Sequence, residues 1–370
     1  MAVPTDTIWE LEPHTAAKHQ ILKLYLQPWF RIMAQSNEPR LNYIDGFCGP
    51  GRYKKGEPGS PLVALSVATP VASELKKVTF LFTDERADRI EHLKSELSQL
   101  SIPANFEVKA RSEQFQQSLT EALDFIDQKK GRIAPSFVFI DPFGFAGLPY
   151  TLVHRVLQKP KCETFITFMV DSVNRFLTHR DPKIRQHMPE IFGTQECFQV
   201  NGVDALRDLY QRQLLKAAEF VRYFEMVDAR GRTVYFLFFA TNNRIGHLKM
   251  KEAMWSIDPE GQFKFSDKTS GQTVLFDLED QTELLWPLVY EQFKGRTVLA
   301  EQVQQFVEDK TSFLGKHMRT AFQEYEGMFV PESDRIKVGE YKADGKKRRP
   351  KSYPEGTVIT FPDEWSRIRY

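Results

Sequence analysis

The sequence predicts an α/β protein with a doubly wound, mostly parallel sheet, followed by a smaller helical module. Two observations support this prediction. Apolar, strand-like runs alternate with helical patterns over residues 1–258, as is typical of parallel sheets that helices cover on both faces. Beyond that point the pattern changes, because 259–280 is polar and suits a linker, and 281–370 holds three helical stretches and two short strand-like segments.

The elements of the first domain are predicted in the following order. A helix over 14–35 contains Pro28, which should bend or break its end. Five strands and four helices then alternate: strands at 41–47, 78–84, 105–110, 136–141 and 164–170, and helices at 61–68, 86–99, 113–128 and 149–158. A polar insertion or lid over 172–202 precedes a helix at 204–219, a strand hairpin at 223–227 and 233–241, and a helix at 244–256.

Composition narrows the class of protein. At 370 residues and 41% hydrophobic content, the chain can form a large core. The net charge of +1 means that any surface attracting nucleic acid must be local. No apolar run reaches the ~20 residues that span a bilayer, and the start of the chain does not resemble a secretory signal. The three cysteines fit neither a disulfide framework nor a zinc site. We therefore expect a cytoplasmic protein with no metal and no membrane partner.

A glycine-containing turn follows the first predicted strand. Asp45 ends the strand, and Gly46, Phe47, Gly49 and Gly51 follow. Glycines accept positive φ and allow backbone N–H groups to approach a ligand. Their spacing is not the dinucleotide pattern G-x-G-x-x-G, which argues against a dehydrogenase. Two interpretations remain: a cofactor-binding turn, or a tight turn that needs glycine for steric reasons only.

Acidic residues follow the second and third predicted strands. Asp84 stands where an acid commonly holds ribose hydroxyls, although a charge at a strand end is often simply solvated. Glu113 is placed to reach an adenine ring, or it caps a helix. Because the carboxyl ends of parallel strands meet at one edge of the sheet, we expect both acids to border a nucleoside pocket.

The fourth predicted strand ends in Asp141-Pro142-Phe143. A carboxylate at this place can accept a hydrogen bond from an exocyclic amino group, and the Pro142 carbonyl offers a second acceptor. Phe143 offers a flat face to a base, which an enzyme acting on a duplex must first take out of its stack. The alternative is a strand-ending acid in an ordinary turn, with Phe143 in the core.

The two strand-end motifs resemble Asp-x-Phe-x-Gly-x-Gly and Asp/Asn-Pro-Pro-Tyr/Phe of amino-methyltransferases, which belong to the class I S-adenosylmethionine (SAM) methyltransferases. The stretch 13–19 is similar to a segment of the adenine-N6 23S rRNA methyltransferase family, which implies that His14 and Lys18 lie at the cofactor. The chain departs from the motif at Phe143 and Gly144. The base-stacking ring is then Phe143, one residue early, or Phe145.

The whole chain most resembles the bacterial three-Cys-motif partner family, TcmP. The similar stretches are 13–18, 43–51, 140–144, 240–242 and 250–255. The resemblance implies SAM as cofactor and a partner that carries the three cysteines of the family name, a radical-SAM-like or phage Gp37-like protein.

The C-terminal module is predicted to be a winged helix-turn-helix. Lys316 and Arg319 lie near the start of its candidate recognition helix. A basic loop at the predicted tip of the wing contains Lys346, Lys347, Arg348 and Arg349. Such residues are suited to phosphate contacts. A solvated loop, or a winged helix that binds protein, would show the same run of basic residues.

Together these patterns predict a SAM-dependent methyltransferase-like protein that acts on nucleic acid, RNA or DNA, at an exocyclic amino group such as adenine N6. The first alternative is a non-catalytic nucleic-acid-binding or adaptor protein on the same scaffold, working with a three-Cys-motif partner. The second is a methyltransferase for proteins or small molecules.

Overall fold

The computed structural model describes residues 4–129, 131–143, 148–177, 179–181, 185–258, 262–268, 282–328, 330–342 and 344–365. The chain forms two compact units. The first comprises Met1–Ile257 with Phe263–Gln272, and the second comprises Asp258–Gln262 with Thr273–Tyr370. No described helix is both long enough and apolar enough to cross a membrane.

The first unit is built on an eight-stranded sheet. Its strands are β1 Arg40–Asp45, β2 Lys77–Asp84, β3 Phe106–Ser112, β4 Ser136–Ile140, β5 Cys162–Phe168, β6 Phe220–Val227, β7 Thr233–Thr241 and β8 Lys264–Ser266. Their order is β3-β2-β1-β4-β5-β7-β6-β8. The first five strands are parallel to one another, and β7 is antiparallel to β5 and β6. This arrangement confirms the mostly parallel α/β sheet and fits a class I methyltransferase fold.

The helices of this unit cover both faces of the sheet. They are α1 Pro13–Gln35, α2 Ser60–Ala68, α3 Ala87–Ser98, α4 Phe115–Gln128, α5 Tyr150–Leu157, α6 Val170–Leu177, α7 Met188–Phe192, α8 Val203–Leu214 and α9 Arg244–Ile257. The predicted insertion 172–202 thus includes most of α6, α7 and the 3-10 turn Gln195–Phe198. The strands between these layers are nearly continuous apolar runs, and every residue of β4 and β5 is buried.

Two local features differ from expectation. The predicted helix 14–35 is confirmed as α1, and it continues without a break through Pro28 to Gln35. Burial of Leu26, Trp29 and Phe30 on both sides of the proline provides packing that a local helix rule does not include. Residues 264–266, inside the predicted linker, form β8, which pairs in parallel with β6 and extends the sheet. Most of that predicted linker, 269–280, lies outside the described residues.

The second unit combines three helices with a small antiparallel sheet. Along the chain its elements are α10 Thr282–Phe293, β9 Thr297–Leu299, α11 Ala300–Lys310, α12 Gly315–Tyr325, β10 Lys337–Val338 and β11 Val358–Thr360. The strand order is β10-β11-β9. The unit has its own core, in which the rings of Trp286 and Tyr325 stack with centroids 3.6 Å apart.

Candidate functional site

A cavity of about 470 Å³ opens at the carboxyl ends of β1, β4 and β5, beside the start of α1. Strands β1 and β4 are adjacent, and Asp45 pairs with Phe139, two residues before Asp141. The turn after β1 and the loop after β4 therefore meet at one edge of the sheet, where ligands bind in open α/β folds. The predicted site residues that line the cavity are Lys18, Phe47, Gly49, Gly51, Asp141, Pro142 and Phe143.

The glycines of the turn are required mainly by packing within the protein. A Cβ on Gly46 would lie 2.3 Å from the ring of Phe115, and one on Gly51 would lie 2.6 Å from Leu93. Gly49 has a φ of +61°, and its Cβ would lie 3.3 Å from the ring of Trp9 in the cavity wall. The steric interpretation therefore accounts for Gly46 and Gly51. At Gly49, an added Cβ would instead point at a residue of the cavity wall.

Asp45 supports the turn from below. Its side chain is fully buried, and the Phe47 N–H donates to its Oδ1 at 3.3 Å. Burial raises the pKa of Asp45 to about 7, and the nearby negative charges of Asp141 and Asp84 add to the effect, whereas hydrogen bonds from Ser60 and Phe47 oppose it. Asp45 is not among the residues that line the cavity. It therefore supports the turn through the Phe47 N–H and does not face the cavity.

Lys18 binds Asp141 across the cavity. Its Nζ donates to Oδ1 at 2.7 Å and to Oδ2 at 2.5 Å. The same ammonium lies 5.2 Å from the centre of the Tyr235 ring. Thr15, Lys18 and His19 share one face of α1 at i, i+3 and i+4, and all three line the cavity. The resemblance of residues 13–19 implied a place for Lys18 at the cofactor; in the structure its direct partner is the Asp141 carboxylate.

The two histidines of α1 have different surroundings. His14 does not line the cavity; its Nδ1 lies 2.8 Å from Asp267 and its Nε2 lies 3.0 Å from Glu12. Burial lowers its pKa, but these two carboxylates outweigh burial and the pKa is raised. His19 lines the cavity, and burial together with the Lys18 charge lowers its pKa to about 3. Its ring is therefore neutral at physiological pH, and its buried Nδ1 has no hydrogen-bond partner among the described residues.

Asp84 is engaged by the protein itself. Its carboxylate accepts hydrogen bonds from the N–H groups of Gly49 at 3.2 Å and Arg86 at 2.9 Å, and Arg89 lies 3.7 Å away. The side chain is buried and does not line the cavity. Asp84 therefore ties the end of β2 to the glycine turn, and its carboxylate is not directed into open space.

A second cavity of about 280 Å³ lies next to the first, at the carboxyl ends of β2 and β3. Phe47 lines both cavities. The other residues that line the second cavity are Glu85, Gln114, Phe115, Gln116, Leu148, Pro149, His187, Glu190 and Ile191. The insertion thus contributes a wall to this cavity. Glu113 does not line it. Its N–H donates to the Asp84 carbonyl at 3.2 Å, and within the described part of the chain its buried Oε1 has no hydrogen-bond partner.

The ring of Phe143 is already in contact with the protein. Its edge meets Trp9 at a centroid distance of 5.6 Å, and the guanidinium of Arg89 lies 5.3 Å from its centre. Phe145, the other candidate for base stacking, lies outside the described residues. Sequence reasoning missed Trp9 and Arg89 because neither belongs to a motif near the two strand ends; only the fold brings them there.

The basic residues of the second unit differ in exposure. Lys316 and Arg319 on α12 are exposed, as are Lys346, Lys347 and Arg349 in the loop between β10 and β11. Lys346 and Lys347 have acidic neighbours, Asp344 at 3.6 Å and Glu340 at 3.3 Å.

Arg348 differs from its neighbours because its side chain is only 8% exposed. Its guanidinium pairs with Glu326 and donates to the carbonyls of Gly339 at 2.7 Å and Ser352 at 3.1 Å. It is therefore built into the fold and not presented to a phosphate, contrary to what its place in the basic run suggests.

No protein-family model and no curated protein matches the chain. Among solved structures, protein LPL1258 of Legionella pneumophila, of family model DUF519, is 13% identical with a TM-score of 0.38, over 62% of this chain and 85% of that one. An O-methyltransferase of Bacillus cereus in complex with SAH is 14% identical with a TM-score of 0.34, over 60% and 80%. The O-methyltransferase TomG of Streptomyces achromogenes, in complex with SAM, is 12% identical with a TM-score of 0.33, over 64% and 92%.

Proposed function

We propose that the first unit is a SAM-dependent methyltransferase whose target is an exocyclic amino group of nucleic acid, adenine N6 in particular. One observation carries the proposal. Asp141, at the end of β4, lines a cavity together with the turn after β1, in a sheet whose strand order and antiparallel β7 fit the class I methyltransferase fold.

The residues around the cavities suit this cofactor. Bound SAM supplies a methyl group on a positively charged sulfonium. Three acids, Glu10, Glu12 and Asp141, line the first cavity against two cations, Lys18 and Arg52, so the lining carries a small excess of negative charge that favours a cationic ligand. The second cavity offers the amides of Gln114 and Gln116 and the carboxylate of Glu85 to a nucleoside. We propose that the nucleoside part lies there and the sulfonium part in the first cavity, on either side of Phe47.

Asp141 and Pro142 have the groups needed to hold an amino nitrogen. Lys18 uses one direction of each Asp141 oxygen, and an ionised carboxylate offers about four lone-pair sites. The remaining sites and the Pro142 carbonyl can accept the two hydrogens of an amino group. Methyl transfer is an in-line displacement, and holding the nitrogen in line with the methyl donor supplies much of its rate. Lys18 fixes the carboxylate in turn.

We further propose that the second unit is a winged helix that contacts nucleic acid. Its order of helix, strand, helix, helix, strand and strand supports this, as does its three-stranded sheet. The contacts would come from Lys316 and Arg319 on α12 and from Lys346, Lys347 and Arg349 in the loop. Such contacts are electrostatic and independent of sequence.

One observation favours the non-catalytic alternative. Phe143 packs against Trp9 and Arg89 and offers less free ring surface to a base than the amino-methyltransferase motif would provide. An adaptor on the same scaffold, working with a three-Cys-motif partner protein, needs no such platform. It would bind nucleic acid, and SAM as well if the cavity is retained, but transfer no methyl group.

The test is transfer of label from tritiated SAM to purified ribosomal RNA, transfer RNA, genomic DNA and total protein. We expect label in a nucleic acid, with N6-methyladenine released on digestion. Asp141→Asn should abolish transfer, whereas the control Asp171→Asn, an acid exposed at the start of α6, should not affect it. SAM binding without transfer to any of these acceptors would contradict the nucleic-acid target and leave the adaptor and a small-molecule methyltransferase. Label in protein alone would refute the nucleic-acid target.

A further inference from the structure

The N-terminal residues 4–12, here called the strap, run along the edge of the first cavity. Pro4, Trp9, Glu10 and Glu12 line it. The strap is attached to the first unit near both of its ends. Close to Pro4 it is held by arginines of the β2–α3 region, and at Trp9 its carbonyl accepts a hydrogen bond from the Lys54 N–H at 2.9 Å. A segment outside the α/β core therefore supplies part of the site.

Trp9 of the strap contacts the glycine turn. Its ring approaches Gly49 so closely that a Cβ on that glycine would lie 3.3 Å from it. The ring also makes edge contacts with Tyr53 at 5.7 Å and with Phe143 at 5.6 Å. Trp9 thus joins the turn after β1 to the loop after β4, the two segments between which a ligand of this cavity must lie.

Arg89, on α3, contacts the rings of both Trp9 and Phe143. Its side chain is buried, and its guanidinium lies 4.7 Å from the Trp9 ring centre and 5.3 Å from that of Phe143. The same group donates to the Pro4 carbonyl at 2.8 Å and lies 3.7 Å from Asp84. A planar guanidinium can contact aromatic faces while its N–H groups reach oxygens, which a lysine ammonium cannot do equally well.

We infer that Trp9 is the wall that closes the cofactor cavity over Gly49, and that Arg89 is the positioning residue that holds Trp9 and Phe143 in place. The inference rests on the proposed function, because it takes SAM and its product S-adenosylhomocysteine as the ligands. In this arrangement Phe143 serves to hold the strap, which explains an aromatic residue at the third position of the motif. On this inference the strap moves when the ligand leaves, and Trp9 limits the dissociation rate.

The experiment measures binding of S-adenosylhomocysteine to the full chain by calorimetry and its dissociation by stopped flow. The Trp9→Ala variant should bind S-adenosylhomocysteine about 10-fold more weakly or worse and release it faster, because a large aromatic contact is lost. The Trp9→Phe variant should have an affinity and a dissociation rate much closer to those of the original protein. Arg89→Met should resemble Trp9→Ala, and Arg89→Lys should restore only part of the affinity. Trp365→Phe in the second unit removes a tryptophan far along the chain and should change neither value.

A second variant tests the strap without altering the cavity wall. Arg86 is not a lining residue, and its guanidinium donates to the Thr5 carbonyl at 2.5 Å. Arg86→Ala should therefore speed association and dissociation together. Binding by Trp9→Ala and Arg89→Met within twofold of the original protein would overturn the inference and leave the proposed function intact. Failure of the original protein to bind at millimolar ligand would remove both. If Arg89→Met does not fold, Trp9→Ala and Arg86→Ala decide.

Discussion

The ammonium of Lys18 lies 2.7 and 2.5 Å from the two carboxylate oxygens of Asp141, and the two side chains are only 5% and 19% exposed. In a charged pair with so little solvent, the attraction between the two groups offsets the cost of desolvating them, so loss of one member leaves the other uncompensated. The pair also fixes the Asp141 carboxylate relative to α1. The acid expected to hold a substrate is therefore positioned by a residue that precedes it by 123 places in the chain.

This pair should show strong energetic coupling. We expect Lys18→Met and Asp141→Asn each to lower the free energy of unfolding by about 3 kcal/mol, since each leaves the other group poorly compensated. The double variant should lose less than the sum, with a coupling of about 2 kcal/mol in urea denaturation. The exposed pair Glu91–Lys94, at 2.9 Å, is the control and should couple by less than about 1 kcal/mol. Additive losses at Lys18 and Asp141 would contradict the structure.

The contact between Gly46 and Phe115 predicts a specific rescue. Gly46→Ala places a methyl group where the Phe115 ring now lies, at 2.3 Å, and should cost about 1–3 kcal/mol of stability. Adding Phe115→Leu to Gly46→Ala should recover part of the loss, although Phe115→Leu alone destabilises. Thermal unfolding of the three variants checks this. A double variant less stable than Gly46→Ala would show that the ring is not the obstacle.

His14 predicts a pH-dependent contribution to stability. Burial disfavours its cation, but Glu12 and Asp267 outweigh burial and raise its pKa in the folded protein. The stabilisation is therefore complete below the unfolded pKa of about 6.5 and is lost as pH rises through the higher folded value. In urea denaturation, His14→Gln should lose most stability relative to the original protein near pH 5.5 and least near pH 9. A gap that widens with pH would reverse the assignment.

The adjacent residues Arg348 and Arg349 should have different roles, Arg348 in stability and Arg349 in nucleic-acid binding. Arg348→Met removes the partner of Glu326 and two carbonyl contacts, and should destabilise the second unit by about 2 kcal/mol. Arg349→Met removes the same charge from an exposed site. It should leave stability unchanged, weaken nucleic-acid binding and reduce the salt slope by about 1. Calorimetric unfolding and salt-dependent binding test the pair, and the opposite pattern would show that Arg348 is the phosphate contact.

The sequence determined the sheet class, the approximate position of most strands and helices, and the meeting of the turn after β1 with the loop after β4. These follow from apolar runs, periodicity and turn residues, which act over a few neighbours. Tertiary structure decided the rest. Because its residues on both sides of Pro28 are packed in the core, α1 continues through the proline. Strand β8 forms inside the predicted linker because it pairs with the edge of β6.

At the site, the same division holds. Asp141 and Gly49 were visible as strand-end residues, but the partners that define their roles were not. Lys18 reaches Asp141, and Trp9 and Arg89 reach Gly49 and Phe143, only when α1, α3 and the strap pack against the sheet. In the same way Arg348 is indistinguishable from Arg349 in the sequence, and only its burial against Glu326 separates them. Residue type and spacing fix which groups stand at a strand end, whereas long-range packing fixes what those groups touch.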